Sequence, residues 1–423
     1  MTGPAARTTP RALAEPLVRV PAGWTARLVV AQLGLWMAFF TPIQQLLPRQ
    51  VESIDPRHKA IMLGLVTGFG ALAAVIANPL AGALSDRTAP RIGGHALGRR
   101  HVWTLGGALL GAAALVLLSR QHTIAGVALA WVAAQTCFNT MLASLTAAVP
   151  DRVPVAQRGA VSGWIGMPSV LGVVIGVGVV TTVVTDLAAG YVAIALIVAL
   201  FALPFALTTP DDPLPHEHRS PLKLPEIVKR MWVSPREHPD FAWAWITRFL
   251  VQLGNALGTL YLLYFLKDRV GYANPEGGLF ILILVYCGAV VATTVVAGRR
   301  SDRTGRRRSF VIWSGMVMAA AAVLLAIWPT WPGAIIAAVV LGAGFGVYLA
   351  VDAALITQVL PAATERAKDL GVINIANSAP QVLGPALAGP IVAYVGGYPV
   401  LYGLTAVVTV LGSIFVRNIR GVP

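Results

Sequence analysis

Twelve apolar runs, most of them 20 or more residues long, alternate with short polar segments along the chain. A helix needs about 20 mostly apolar residues to cross a bilayer. Charged residues make up only 12% of the chain, against about a quarter in soluble domains. This excludes soluble enzymes, nucleic-acid binders and disordered scaffolds, and predicts an all-α membrane protein with twelve transmembrane helices. The runs cover residues 24–47, 60–83, 102–119, 123–147, 159–184, 187–208, 241–265, 277–298, 309–328, 332–359, 369–394 and 397–416.

The longest polar stretch separates the runs into two groups of six. It contains His216, Glu217 and His218, but three adjacent residues make a poor chelate, so we expect no metal and no cofactor. The N-terminal tail lacks the apolar stretch of a signal peptide, and we expect the first run to insert uncleaved. The predicted organisation is a tail at 1–23, an N-terminal half at 24–208, a central loop at 209–240, a C-terminal half at 241–416 and a tail at 417–423.

The distribution of Lys and Arg predicts the orientation of the chain in the membrane. With the N-terminus inside, 25 of the 32 Lys and Arg residues lie in inner segments and six lie in outer loops. Cationic residues are retained on the cytoplasmic side of membranes. We therefore expect a multi-pass protein of the cytoplasmic membrane with both termini inside. The same bias explains the net charge of +14 without a nucleic-acid partner.

The two groups of six runs share sequence patterns. The segment Gly82–Thr88 reads GALSDRT and the segment Gly298–Thr304 reads GRRSDRT, 216 residues later. A second match, at an offset of 212, pairs Gly159, Pro168, Leu171 and Gly172 with Gly371, Pro380, Leu383 and Gly384. Two halves repeated in the same order predict a parallel pseudo-repeat, an architecture in which solute sites form between the halves.

These motifs resemble the cytoplasmic loop signature of major facilitator superfamily transporters, over essentially the whole chain. The form S-D-R-T followed by G-R-R is similar to the sucrose:proton and glycoside–pentoside–hexuronide:cation symporters, although the first copy has an insertion before Gly98. The resemblance implies the fold of that superfamily, transport by alternating access and a gating role for the motif. The motif residues are Gly82, Asp86, Arg87, Arg99 and Arg100 in the first copy, and Gly298, Asp302, Arg303, Arg306 and Arg307 in the second.

Two charged residues lie well inside predicted spans, Arg248 in the seventh run and Asp352 in the tenth. Ionisable residues inside a membrane are costly and usually functional. The seventh run leaves the inner side and the tenth returns to it, so both charges lie at a similar depth. We expect Asp352 to be the proton-responsive carboxylate with Arg248 as its partner. A static ion pair that neutralises a buried charge is the alternative.

Polar and aromatic residues recur on the same runs that the resemblance places around a central cavity. On the seventh run Arg248, Gln252, Asn255 and Thr259 share one helical face. Such a stripe faces the bundle interior, where it binds a hydroxyl-rich solute or joins neighbouring helices. The remaining cavity residues that we predict are Gln32 and Trp36, Gln135 and Asn139, Tyr348, and Asn374, Asn377 and Gln381.

Two functions are compatible with these features. The first is a proton- or cation-coupled symporter of a small, sugar-like organic solute, acting as a monomer in the lipid bilayer. The second is a proton-coupled efflux antiporter of drugs or metabolites. Antiporters of the superfamily carry a Gly-Pro dipeptide in the fifth helix, where this chain has Gly166-Met167-Pro168. A membrane-embedded enzyme is disfavoured, because no metalloprotease, phosphate-loop or nucleophile-elbow motif is present.

Overall fold

The computed structural model describes residues 16–85, 88, 91–92, 95–96, 98–212, 234–304, 307–359 and 366–419. Within this part the protein is helical, apart from two antiparallel strands of two residues each, β1 (Arg91–Ile92) and β2 (His95–Ala96). The helices are α1 (Ala22–Thr41), α2 (Leu47–Ile54), α3 (Lys59–Ser85), α4 (His101–Leu118), α5 (Ile124–Arg152), α6 (Val155–Gly178), α7 (Leu187–Thr208), α8 (Pro239–Leu260), α9 (Leu262–Phe265), α10 (Pro275–Thr304), α11 (Arg307–Ile327), α12 (Trp331–Val359), α13 (Arg366–Pro390) and α14 (Gly397–Phe415).

Ten helices in the described residues are long and apolar enough to cross a membrane. An eleventh span is formed by α8 and α9 if this pair, which is bent by 43°, is counted as one. The helix α13 occupies the position of the eleventh predicted run. The all-helical membrane architecture is therefore confirmed, while the number of twelve spans stays a prediction.

Four of the spans contain a π-helical turn near the end that the charge bias predicts to be outside, and these turns follow the pseudo-repeat. They lie at Pro42–Leu46 after α1, Val179–Val183 after α6, Leu266–Val270 after α9 and Ile391–Val395 after α13. The first and fifth spans of the N-terminal half thus share this feature with the first and fifth spans of the C-terminal half. π-Turns widen a helix locally and are frequent at functional sites.

The packing of the helices repeats in the same way. In the first six spans α1 packs on α6 and α7, α3 packs on α5, and α4 packs on α5 and α7. In the last six α8 packs on α13 and α14, α10 packs on α12, and α11 packs on α12 and α14. Each pairing recurs six spans later, so the sequence repeat corresponds to a structural one.

Two pairs of helices join the halves, α3 with α13 and α6 with α10. The first pair approaches closely at glycines. A Cβ atom added to Gly64 would lie 2.6 Å from the carbonyl oxygen of Pro385, and one added to Gly389 would lie 2.9 Å from that of Ala60. Such distances are below van der Waals contact, and only glycine allows the two backbones to meet here.

A tight hairpin joins the last two spans, and its turn depends on glycine. Gly396 has φ 146° and Gly397 has φ 70°, both outside the range that other residues adopt readily. The Gly-Gly pair therefore lets the chain reverse directly from the π-turn after α13 into α14.

Several predicted boundaries differ from the observed ones. The first span continues through α2 to Ile54 rather than ending at 47, so Arg49 lies in a helix beyond the predicted run. The helix α10 continues to Thr304 rather than ending at 298. Both extensions are polar, and a search for apolar runs stops where polarity begins although the helix continues.

Candidate transport site

The predicted charges Arg248 and Asp352 lie next to each other inside the C-terminal half. Nε of Arg248, on α8, is 3.4 Å from Oδ2 of Asp352, on α12. The side chain of Asp352 is only 7% exposed and that of Arg248 is 17% exposed. The two side chains therefore form an ion pair with little access to solvent, in which each neutralises the other.

An amide from a third helix completes this cluster. Oδ1 of Asn377, on α13, accepts hydrogen bonds from Nε of Arg248 (2.6 Å) and from Nε2 of Gln252 (3.1 Å). The guanidinium group on α8 is thus held by a carboxylate from α12 and an amide from α13. We call Arg248, Gln252, Asp352 and Asn377 the charged cluster.

Aromatic side chains lie beside the charged cluster. Tyr348 is fully buried one helical turn before Asp352, and its hydroxyl has no hydrogen bond of regular geometry to any described residue. The ring of Phe345 stacks on Tyr348 with centroids 6.0 Å apart, and on Tyr286 with centroids 6.3 Å apart. The Tyr286 hydroxyl donates to Oδ1 of Asn255 (3.2 Å), so the predicted polar stripe of α8 contacts α10 as well.

The predicted residues of the N-terminal half present a different surface. Trp36 is half-buried and stacks on Phe40 with centroids 5.4 Å apart. Gln135 and Asn139 are buried and hydrogen-bond to each other within α5. Gln32 is buried, and its Oε1 atom has no partner among the described residues. The residues predicted for this half are therefore amides and a tryptophan, whereas the predicted charges Arg248 and Asp352 lie in the other half.

A second polar cluster joins the two halves at the end of the bundle that the charge bias predicts to be outside, here called the outer end. Nζ of Lys59, on α3, is 2.9 Å from Oε1 of Glu52 and 2.6 Å from Oδ1 of Asp268. Glu52 also accepts from Lys267 (2.9 Å), and Asp268 also accepts from the hydroxyl of Tyr398 (2.8 Å). We call these five residues the outer cluster.

Backbone contacts reinforce the outer cluster. The Tyr261 hydroxyl donates to the carbonyl oxygen of Ala60 (2.7 Å), and the Tyr264 hydroxyl donates to that of Pro48 (2.8 Å). Every hydrogen bond and ion pair that the structure describes between the halves lies at this end. The outer end of the bundle is therefore closed.

Comparison with known proteins decides the family. The family model described as Major Facilitator Superfamily matches residues 59–299 and 278–422, which together cover most of the chain. The chain belongs to the Major Facilitator Superfamily. The superfamily consists of multi-pass membrane transporters rather than enzymes.

One curated member of the superfamily resembles part of the chain. It is an uncharacterised transporter, YwfA of Bacillus subtilis (strain 168), which is 31% identical over 153 residues. The match covers 36% of this chain and 35% of YwfA. The chain therefore spans about a third of the length of this relative.

Solved structures of the superfamily share the fold at low sequence identity. The nucleoside transporter NupG superposes with a TM-score of 0.69 at 15% identity, over 94% of this chain and 98% of NupG. A transporter of the POT family in complex with 5-aminolevulinic acid superposes with a TM-score of 0.72 at 13% identity, over 93% of this chain and 95% of that one.

The loop motif of the superfamily is described in part. Arg99 and Arg100 are buried, and both pair with Oδ2 of Asp151 at the end of α5, at 3.0 and 2.8 Å. Arg100 also donates to Ser85 (2.5 Å). In the N-terminal half these two predicted gating residues therefore join α3, α4 and α5. Whether they also gate the transporter stays a prediction.

The remaining predicted motif and cavity residues are placed one by one, or lie outside the described part. Arg303 and Gln381 are exposed. Gly82 has open space where a side chain would be, and Arg307 begins α11. Outside the described residues or side chains lie Asp86, Arg87, Gly298, Asp302, Arg306, Asn374, residues 1–15 and most of the central loop, including His216.

Sequence reasoning missed the outer cluster. In the sequence, Lys59, Lys267 and Asp268 lie just outside apolar runs, where a charge needs no explanation. Their proximity depends on how α3, α9 and α14 meet, which no run shows by itself. The sequence did contain a signal: the outer segments after the first and the seventh runs both carry cations and carboxylates.

Proposed function

We propose that the protein moves a small, polar organic solute across the cytoplasmic membrane together with a proton, by alternating access between its two halves. The observation that carries this proposal is the ion pair of Arg248 and Asp352 inside the C-terminal half. In general, burial disfavours an ionised carboxylate and a nearby guanidinium favours it. A change in the distance between the two groups therefore changes how tightly the carboxylate binds a proton.

Coupling requires such a change. A ligand shifts a conformational equilibrium only through a difference in its affinity for the two states. The helices α8, α12 and α13 all contribute to the charged cluster, α8 with two members and the others with one each. Because α13 packs on α3 of the other half, opening of the outer end would displace α13 and alter the cluster. Proton binding and the conformational change would then be linked.

The surroundings of the cluster support a hydroxyl-rich or mixed-polarity solute. Amides on α8 and α13 offer hydrogen bonds within the cluster. In the other half, a stacked Trp36–Phe40 pair on α1 offers an apolar face. The loop motif resembles that of sugar symporters, and NupG is named a nucleoside transporter. These features favour a sugar-like solute over a purely apolar drug.

The test is flux into proteoliposomes under an imposed pH gradient. The variant Asp352→Asn should lose uphill accumulation and keep part of the downhill exchange, because it can no longer bind and release a proton. Glu237→Gln, which removes an exposed carboxylate before α8, is the matched control and should transport normally. Full pH-driven accumulation by Asp352→Asn would exclude this residue from coupling.

A second comparison separates coupling from a static ion pair. If the pair is only structural, Arg248→Ala alone should be worse than the double variant with Asp352→Asn, because it leaves a buried charge without a partner. If Asp352 is the coupling group, the double variant should be as uncoupled as Asp352→Asn. The direction of the pH gradient that drives accumulation distinguishes symport from efflux by antiport.

A further inference from the structure

We propose that the transported solute carries a carboxylate, and that the guanidinium group of Arg248 binds it. This inference rests on the proposed function, since it names the class of solute that the charged cluster would take. It follows from the unused donors of Arg248, from the order of burial within the ion pair and from the charge of the cluster before and after protonation.

The hydrogen bond that Arg248 makes to a described residue uses only one of its three nitrogen atoms. Both the hydrogen bond to Asn377 and the short approach to Asp352 are made by Nε. The two terminal nitrogens make no hydrogen bond to any described residue. A guanidinium group has five N–H donors, and its planar fork matches the two oxygens of a carboxylate. Four donors of Arg248 are thus available to a ligand.

The order of burial shows which member of the ion pair a solute meets. The Arg248 side chain is 17% exposed and the Asp352 side chain is 7% exposed. Asp352 is further enclosed by Tyr348, which is fully buried. A cationic solute would need to reach the carboxylate behind the guanidinium, whereas an anionic solute meets the guanidinium first.

The charge of the cluster links an anionic solute to the proton. With Asp352 ionised, Arg248 and Asp352 sum to zero, and an added carboxylate would be repelled by Asp352. With Asp352 protonated, the cluster has a charge of +1 and attracts an anion. A proton and a monoanionic solute then bind together more tightly than either binds alone, which is the requirement for symport.

The hydroxyl of Tyr348 is a further polar group beside the charged cluster. It is buried and lies close to the carboxyl group of Asp352, without a hydrogen bond of regular geometry to a described residue. In this proposal it donates to the bound solute when Asp352 is protonated. Arg248, Gln252 and Tyr348 would together bind an acid that also carries hydroxyl groups.

Binding to the purified protein tests the inference without relying on transport. The probes are matched pairs of an acid and its neutral counterpart: glucuronate and glucose, lactate and lactamide, benzoate and benzamide. Binding is measured by thermal shift on Asp352→Asn, which imitates the protonated state. The acids should stabilise this variant, with dissociation constants at least tenfold lower than those of their neutral partners. The preference should disappear in the double variant Asp352→Asn with Arg248→Gln.

Two results would overturn the inference. Neutral members that bind as well as the acids, or no binding of any acid, would show that the guanidinium group is not an anion site. Binding of the acids that survives the loss of Arg248 would place the anion elsewhere. In the wild type the preference for acids should increase as the pH falls, because protonation of Asp352 exposes the positive charge.

Failure of this inference can be distinguished from failure of the proposed function. If pH-driven flux requires Asp352 but the transported solute proves neutral, only the inference fails. If Asp352→Asn keeps full pH-driven accumulation, the proposed coupling fails, while Arg248-dependent binding of acids is still measured separately. Uptake of a monoanion with one proton should also be insensitive to the membrane potential, because no net charge moves.

Discussion

The ammonium group of Lys59 forms contacts between the two halves at the outer end, and removing it should open that end. The variant Lys59→Met keeps the length of the side chain but loses the contacts to Glu52 and to Asp268, at 2.9 and 2.6 Å. It also loses the approach of the ammonium group to the Tyr264 ring, 4.7 Å from its centroid. Of these contacts, those with Asp268 and Tyr264 bridge the two halves.

The free energy lost on removing the ammonium group of Lys59 lies between two known limits. Exposed ion pairs contribute about 0–1 kcal/mol, and loss of one member of a fully buried pair costs about 3–5 kcal/mol. The side chain of Lys59 is 14% exposed and that of Asp268 is 33% exposed. Since Tyr398 still donates to Asp268, we expect a loss of about 1.4 kcal/mol, which is a tenfold change in an equilibrium constant.

The assay is a distance measurement between spin labels on opposite halves at the outer end. Labels at Pro56 and Arg269, both exposed, are introduced after Cys137 and Cys287 have been replaced by alanine. The population with a long distance between the labels should increase about tenfold in Lys59→Met. The control Arg57→Met removes a cation that makes no described contact between the halves.

Identical distance distributions in Lys59→Met and in the control would refute this reasoning. They would show that the outer end is held by the backbone contacts of α3 and α13 rather than by charge. A double-mutant cycle with Asp268→Asn measures the pairwise contribution directly. A coupling energy near zero would remove the ion pair from the closure of this end.

Three further predictions concern packing, stability and orientation. Gly64→Ala should open the outer end like Lys59→Met, because its methyl group would lie 2.6 Å from a carbonyl oxygen of α13. The control Gly403→Ala adds a methyl group to open space. Equal distance distributions in the two variants would contradict the prediction. Arg100→Ala should lower the free energy of unfolding by about 2–4 kcal/mol, since it leaves a carboxylate without part of its pairing, and an unchanged melting temperature would refute this. A cysteine at Arg57 should react with an impermeant reagent from outside whereas one at His216 should not, and labelling of the latter in intact cells would reverse the orientation.

The apolar runs determined the architecture from sequence alone. A residue that faces lipid must be apolar and its backbone must bond internally, so each span of the chain is visible as a local property. The positions of α3 to α7, for example, were predicted to within a few residues. The repeated segments at Gly82 and Gly298 likewise indicated the pseudo-repeat before any contact between helices was known.

The pairing of Arg248 with Asp352 was also predicted from sequence, because charges are so rare inside spans that the two had few other partners. The tertiary structure decided that Asn377 is the third member, and that only Nε of the guanidinium group is used. Depth along a helix can be counted from sequence. The direction in which a side chain leaves its helix toward a neighbour cannot.

The outer cluster was decided by tertiary structure alone. Glu52, Lys59 and Asp268 are separated by up to 216 residues and lie where polar residues border water in any membrane protein. Local sequence determines whether a segment can enter the bilayer, because the transfer of each side chain from water to lipid is a local free energy. Which helix ends meet depends on shape, on glycines such as Gly64 and Gly389 that allow close approach, and on the conformational state of the two halves.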